Sequence, residues 1–180
     1  MSRRSRLQRV VLAGILTLLL ASPLHAEPRV LQLAGFAFEV ETTVTGTPEE
    51  AFGAFTAETL QWWDHHFATH PKQLYFEPRP GGGFMEIFDE AGNGARHATV
   101  IYAERPKMLR FVGPLGLAGK ALDMVHTLRF TPAEGGGTKL HLEVHGFGEA
   151  EPGLPAMVEQ VWRHFLVERF QPYMAARVKK

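Results

Sequence analysis

Residues 76–88 read Phe-Glu-Pro-Arg-Pro-Gly-Gly-Gly-Phe-Met-Glu-Ile-Phe. An extended segment stops at Pro78, Arg79 and Pro80. Gly81, Gly82 and Gly83 then make a corner that glycine turns at little steric cost. The strand that leaves the corner carries Phe84, Glu86 and Phe88 on one face. With Trp62 and Trp63 upstream, the stretch points to a curved sheet gripping a long helix around a cavity.

Upstream, residues 36–44 alternate, with Phe36, Phe38, Val40, Thr42 and Val44 on one face, as a half-buried strand does. Thr47-Pro48-Glu49-Glu50 opens a helix: Thr47 caps it, Pro48 suits its first turn, and Glu50 completes a capping box. The helix is expected to run to Phe55, and a short second one to carry Leu60, Trp62 and Trp63. Downstream, residues 84–90 and 95–104 pair across Ala91-Gly92-Asn93-Gly94, where Asn-Gly is a strong hairpin signal. Arg105-Pro106-Lys107 turns the chain into residues 108–112. A glycine-rich loop at 113–119 precedes a strand at 121–131, and the turn at 134–137 leads into a strand at 138–147. The period then changes. Leu154, Met157, Val158, Val161, Phe165 and Phe170 recur at helical spacing, an apolar face about 27 Å long at 1.5 Å per residue. Pro172 is expected to kink or end that helix.

The order is strand, two short helices, a run of antiparallel strands and one long helix, which is an α+β fold. One helix cannot cover a curved sheet of six or seven strands, so a cleft between them is expected.

Residues 1–26 carry Arg3, Arg4, Arg6 and Arg9 ahead of an uncharged run from Val10 to Ala21, then Pro23-Leu24-His25-Ala26. This pattern is that of a secretory signal peptide, and the run is too short to span a bilayer. The expected layout is a signal at 1–26, a short lead at 27–35 and a single domain at 36–178, in the periplasm. Loss of four arginines from 19 basic residues leaves 15 against 19 acidic, a net charge of −4. A mildly acidic domain without a basic run does not suit nucleic acid, and no stable membrane insertion is expected after cleavage. Monomer or weak dimer is the expected state. Cysteine is absent and the serines are Ser2, Ser5 and Ser22, all in the signal segment. The remaining chain therefore has no serine or cysteine nucleophile and no thiolate metal site.

These residues, in this order, resemble the SRPBCC (START-like, helix-grip) superfamily, in the branch related to activators of a heat-shock chaperone ATPase. The resemblance is carried by Thr47-Pro48-Glu49-Glu50-Ala51-Phe52, by Trp62-Trp63 with His70, and by Phe76-Glu77-Pro78-Arg79 with Gly81-Gly82 and Glu86. Arg105-Pro106 with Leu109 and the C-terminal helix complete it, so that it spans residues 36–174. It implies a helix-grip fold with an internal cavity. Superfamily members include lipid carriers, hormone receptors, polyketide cyclases and co-chaperones, so the fold does not fix the function.

Several groups carry chemistry. His66 and His70 would share a helix face if the helix continues, but no glutamate lies between them and Pro71 ends the element, so no metal site is expected. His126 shares a strand face with Leu122, Met124, Leu128 and Phe130. A hydrogen-bonded core histidine is one expectation, and a ligand-orienting or proton-moving group is the other. Glu86 lies between Phe84 and Phe88, to be paired with Arg79 or Arg96 or to act as an acid or base. Tyr102, in phase with Val100 and Ala98, would offer a hydroxyl to the same space. Residues 114–121 imitate a phosphate loop but lack its first glycine and its Ser/Thr, and Gly81-Gly82-Gly83 lacks the dinucleotide spacing.

The expected cavity wall is Trp62, Trp63, Phe84, Glu86, Phe88, Tyr102, Met124, His126, Met157, Val161 and Phe165, with the Trp62-Trp63 segment and the 113–119 loop at its mouth. The expectation is an exported binder of a small hydrophobic or amphipathic molecule, without cofactor. A cofactor-free acid–base enzyme of the polyketide cyclase or dehydratase kind, using Glu86, His126 or Tyr102, is the second possibility. An envelope protein-interaction module is the third.

Overall fold

The computed structural model describes residues 30–177, and the expected signal segment at 1–26 lies outside the described residues. Strand β1 (Leu33–Val44) is followed by helix α1 (Pro48–Ala57) and a single turn of 3₁₀-helix (Thr59–Gln61). Strands β2 (Gln73–Phe76), β3 (Gly83–Ile87), β4 (Gly94–Glu104), β5 (Met108–Val112), β6 (Leu122–Pro132) and β7 (Thr138–Glu149) come next. Helix α2 (Leu154–Arg163), a π-helical stretch (His164–Phe170) and helix α3 (Gln171–Arg177) run on as one C-terminal helix. The seven strands form one antiparallel sheet in the order β1-β7-β6-β5-β4-β3-β2. Every connection except β1 to β2 joins neighbours, and α1 fills that exception. β1 begins three residues before the expected domain start at Phe36.

The capping box forms as the sequence demands. Glu50 N donates to Thr47 Oγ1 at 3.3 Å, and Thr47 N donates back to Glu50 Oε2 at 2.7 Å. The corner that opens the argument for this fold uses its glycines in two ways. Gly81 has φ +80°, and a Cβ on Gly82 would stand 2.2 Å from the Glu77 carbonyl oxygen. The β3–β4 turn is centred one step earlier than the Asn93-Gly94 pair suggested. Asp89 Oδ1 accepts from Ala91 N and Asn93 N, and Gly92 takes the left-handed conformation.

The C-terminal helix buries Leu154, Val158, Trp162, Phe165, Leu166, Phe170 and Met174. Phe170 meets Trp62 at 4.7 Å and Phe55 at 5.6 Å between ring centroids, and Phe55 in turn meets Phe76 and Phe130. Each such aromatic contributes about 2–3 kcal/mol by leaving water.

Of the two outcomes expected at Pro172, a kink or an end, the helix does not end there. The π-helical stretch closes with Gln171 N donating to Leu166 O, five residues back. This wider turn restarts the α-helix at Gln171, so Pro172 falls in a first turn, where a missing N–H costs nothing. It also explains why Phe165 and Phe170, five apart, share the buried side.

Candidate functional site

Between the sheet and the C-terminal helix lies a cavity of about 310 Å³. Trp63, Trp162, Phe165, Met124, Val158 and Val161 form most of its apolar wall, and Met157 stands at its edge. Residues 65–67 border it on one side and residues 114–117 on the other. Trp63 is locked in place: its ring stacks on Phe165 at 3.6 Å and 19°, and its Nε1 donates to His65 O at 2.8 Å. Leu115 holds φ +53°, a left-handed conformation that costs a non-glycine residue about 1–2 kcal/mol, with its side chain against the cavity.

The polar groups of the wall are imidazoles. His97 and His66 both border the space, and His66 Nε2 is buried without a hydrogen-bond partner. His97 is 5% exposed, and its Nε2 lies 2.8 Å from Glu86 Oε2. Glu86 itself is fully buried behind the wall. It accepts from Phe67 N at 3.0 Å and 3.1 Å and from Ala68 N at 2.8 Å. Burial pushes the Glu86 carboxyl up, but the donors from Ala68, Phe67 and His97 outweigh it and hold the group below the usual carboxylate range. Glu86 is therefore a carboxylate that fixes two things at once: the 65–68 segment, through its main chain, and the His97 ring.

His97 was missed by the sequence analysis because strict alternation sends it outward with Ala95 and Thr99. A β-bulge opposite Phe84 and Met85 inserts one residue into β4, and His97 and Ala98 both end up buried. Gly113 makes room for the bulge, since a Cβ there would stand 2.6 Å from His97 O. A second irregularity between Val100 and Tyr102 reverses the phase again. Tyr102 is in consequence 40% exposed and donates to Glu104 Oε2 at 3.0 Å, so it offers no hydroxyl to the cavity.

Five of the eleven expected wall residues border the cavity: Trp63, Met124, Met157, Val161 and Phe165. Trp62 is core, with Nε1 donating to Ala54 O, and Phe84 stacks on Phe76 at 4.1 Å beneath the wall. Phe88 follows the end of β3 and is half-buried away from the space. Glu86 pairs with His97, not with Arg79 or Arg96; Arg79 lies against Glu77 instead. His66 and His70 share no helix face, because residues 63–70 are irregular. His126 is fully buried one layer below the wall, stacked on Phe111 at 4.7 Å and 11° and near Trp162 at 5.3 Å. Neither ring nitrogen has a hydrogen bond of good geometry, and the Phe111 and Met124 backbone is the polar neighbourhood of the ring. Burial pushes its pKa down to about 3, with the nearby Phe111 and Met124 backbone offsetting this only in part.

At one lip of the cavity Asp64, His65 and His164 bring ligand-type atoms within 4.8 Å of one another. Two imidazoles and a carboxylate are a donor set that zinc accepts. Here these atoms satisfy one another. Asp64 meets His65 Nδ1, His164 Nε2 and Arg169 Nε, and His164 Nδ1 meets Glu168 Oε2 at 2.8 Å. The Glu168 and Asp64 bonds hold the His164 pKa above its ordinary value. The cluster fastens the 64–67 segment to the π-helical turn.

Comparison with solved structures shows the same architecture. A crystal structure of a Rhodobacter sphaeroides protein is 23% identical and superposes with a TM-score of 0.57 over 82% of this chain and 99% of that one. A Chromobacterium violaceum protein gives 19% identity and 0.57, over 77% and 96%. Ara h 8.0201 gives 14% and 0.57, over 79% and 99%. The chain has a helix-grip fold. Neither a protein-family profile nor a curated protein matches the sequence. At these identities the likeness speaks for the helix-grip architecture alone.

Proposed function

We propose that this helix-grip protein is an exported carrier or receptor for a small, largely apolar molecule held between sheet and C-terminal helix. The observation that supports it most is the cavity of about 310 Å³, walled by aromatic and aliphatic side chains and interrupted only by a few imidazoles. A size of roughly 300–1,000 Å³, an apolar wall and a few convergent polar groups are the features of small-molecule sites. Export rests on the arginine-rich head and apolar run of residues 1–26, and the place within the chaperone-activator branch on the motifs quoted above. Native mass spectrometry of protein isolated from the envelope fraction of cells is expected to show a co-purifying small molecule that denaturation releases. Protein that stays in the cytoplasm speaks against export. Protein that shows no bound species and takes up no apolar probe speaks against the carrier.

One observation favours a second function, cofactor-free acid–base catalysis. Of the three candidates, Tyr102 faces solvent, His126 lies below the wall and Glu86 is an ionised carboxylate that has no proton to give. The role passes to His97, which borders the cavity and is oriented by Glu86. A co-purified molecule whose mass or absorption changes on incubation with fresh wild-type protein, but not with His97→Gln, is the outcome that separates enzyme from carrier.

A further inference from the structure

Away from the Asp64–His65–His164 lip, the imidazole-bearing part of the wall has a definite chemistry. Glu86 draws together Phe67 N, Ala68 N and His97 Nε2 on a single buried carboxylate. His66, one residue before Phe67, borders the same cavity as His97. With Nε2 turned to a carboxylate, the neutral His97 ring carries its proton on Nε2 and its lone pair on Nδ1. Nδ1 is the nitrogen left for the occupant of the cavity. His66 adds a second imidazole nitrogen, Nε2, buried and without a partner. The rest of the wall is largely apolar: Trp63, Phe67, Leu117, Met124 and Phe165 offer no free side-chain donor or acceptor, since the Trp63 indole is already bonded to His65 O, and Trp162 adds an indole N–H, a donor but not an acceptor.

We infer that the natural occupant carries a weakly acidic hydroxyl, of the phenol, enol or carboxylic acid class, on an otherwise apolar body, and that this hydroxyl docks against His97 Nδ1 in the cavity that His66 also borders. This inference rests on the carrier function proposed above and narrows its ligand. A weakly acidic O–H suits the arrangement in either position of its proton. It donates to Nδ1 as a neutral hydroxyl. If the proton crosses to Nδ1, the resulting oxyanion faces an imidazolium whose charge Glu86 balances from the far side, and no other group changes its protonation. An ether or a bare hydrocarbon of equal shape leaves Nδ1 desolvated and unpaired, which costs affinity. Glu86 is the positioning residue here, since it acts through His97 and through the Phe67 and Ala68 main chain.

Three probes test this: 1-naphthol, 1-methoxynaphthalene and naphthalene, titrated calorimetrically into the full folded protein. Wild-type protein is expected to bind 1-naphthol at least about tenfold tighter than the methyl ether, a gap of about 1.4 kcal/mol. His97→Gln keeps an amide donor for Glu86 where Nε2 stood and removes the acceptor at Nδ1. In that variant the two affinities are expected to converge while that for the ether is retained. Equal affinities in wild-type protein, or a preference that survives His97→Gln, overturn the inference and leave the carrier intact. If none of the three probes binds, the carrier itself falls. Should His97→Gln fail to fold, ¹⁵N spectra of wild-type protein decide: the His97 Nδ1 resonance must move on adding 1-naphthol and stay put on adding the ether. A resonance that ignores both overturns the proposal.

Discussion

Glu86 and His126 are both buried ionisable groups on the inner face of one sheet, and their surroundings give them opposite consequences. Glu86 is paired at every oxygen. Replacing it by alanine leaves the Phe67 and Ala68 amides and His97 Nε2 without their acceptor, and a loss of about 3–5 kcal/mol is expected by urea denaturation. Its lowered pKa sets the sign of its pH dependence. The stabilisation is present above the unfolded value near 4.5 and fades as pH falls through the still lower folded value. His126 acts in a different window. Its folded pKa is about 3 against 6.5 when exposed, so between those values the unfolded chain binds the extra proton and stability falls with falling pH. His126→Phe removes that proton-binding difference together with buried ring nitrogens that lack a hydrogen bond of good geometry. The variant is expected to match or exceed wild-type stability at pH 7, and its melting temperature should decline less steeply from pH 6.5 towards 3.

At the scale of the element, two departures from ideal periodicity decide what the sequence reveals. Capping, corner glycines and strand alternation were legible because each is written within a few residues: Thr47 with Glu50, Gly81 with Gly82, Leu122 through Phe130. The site was legible only in part, because β4 carries one extra residue near His97 and a second before Tyr102. A period of two, counted through both, puts the right histidine outside and the wrong tyrosine inside. Nothing in β4 alone announces a bulge; the cue is Gly113, just past the end of the neighbouring strand β5, whose missing Cβ makes space for it. The π-helical stretch is the helical counterpart. Deleting Val167, an exposed residue within it, returns the stretch to α-helical spacing and leaves Phe165 and Phe170 four apart, still on the buried side. That deletion should therefore cost no more than about 1–2 kcal/mol in denaturant titration, well below the loss of a buried aromatic. Val167→Ala should cost less than 1 kcal/mol.

For the molecule as a whole, the cavity and the core are distinct regions of one interior. Phe55, Trp62, Phe76, Phe130 and Phe170 interlock beneath α1, while Trp63, Trp162 and Phe165 face the open space. The fold can thus keep its stability while the cavity changes. Val161→Trp, from a half-buried position on the wall, should fill much of the space. Its melting temperature is expected within a few degrees of wild type, with binding of 1-naphthol reduced at least tenfold by calorimetry; undiminished binding would place the ligand elsewhere.

Glu86 also bears on how such a protein can diversify. It grips the Phe67 and Ala68 amides, groups that every residue except proline possesses, rather than any side chain of that segment. This anchor of the cavity's rim is therefore indifferent to the side chains at residues 66–68, proline at 67 and 68 excepted. His66 and Phe67 can be exchanged without loosening the Glu86 grip, so selectivity can drift, or be engineered, on a frame that stays closed.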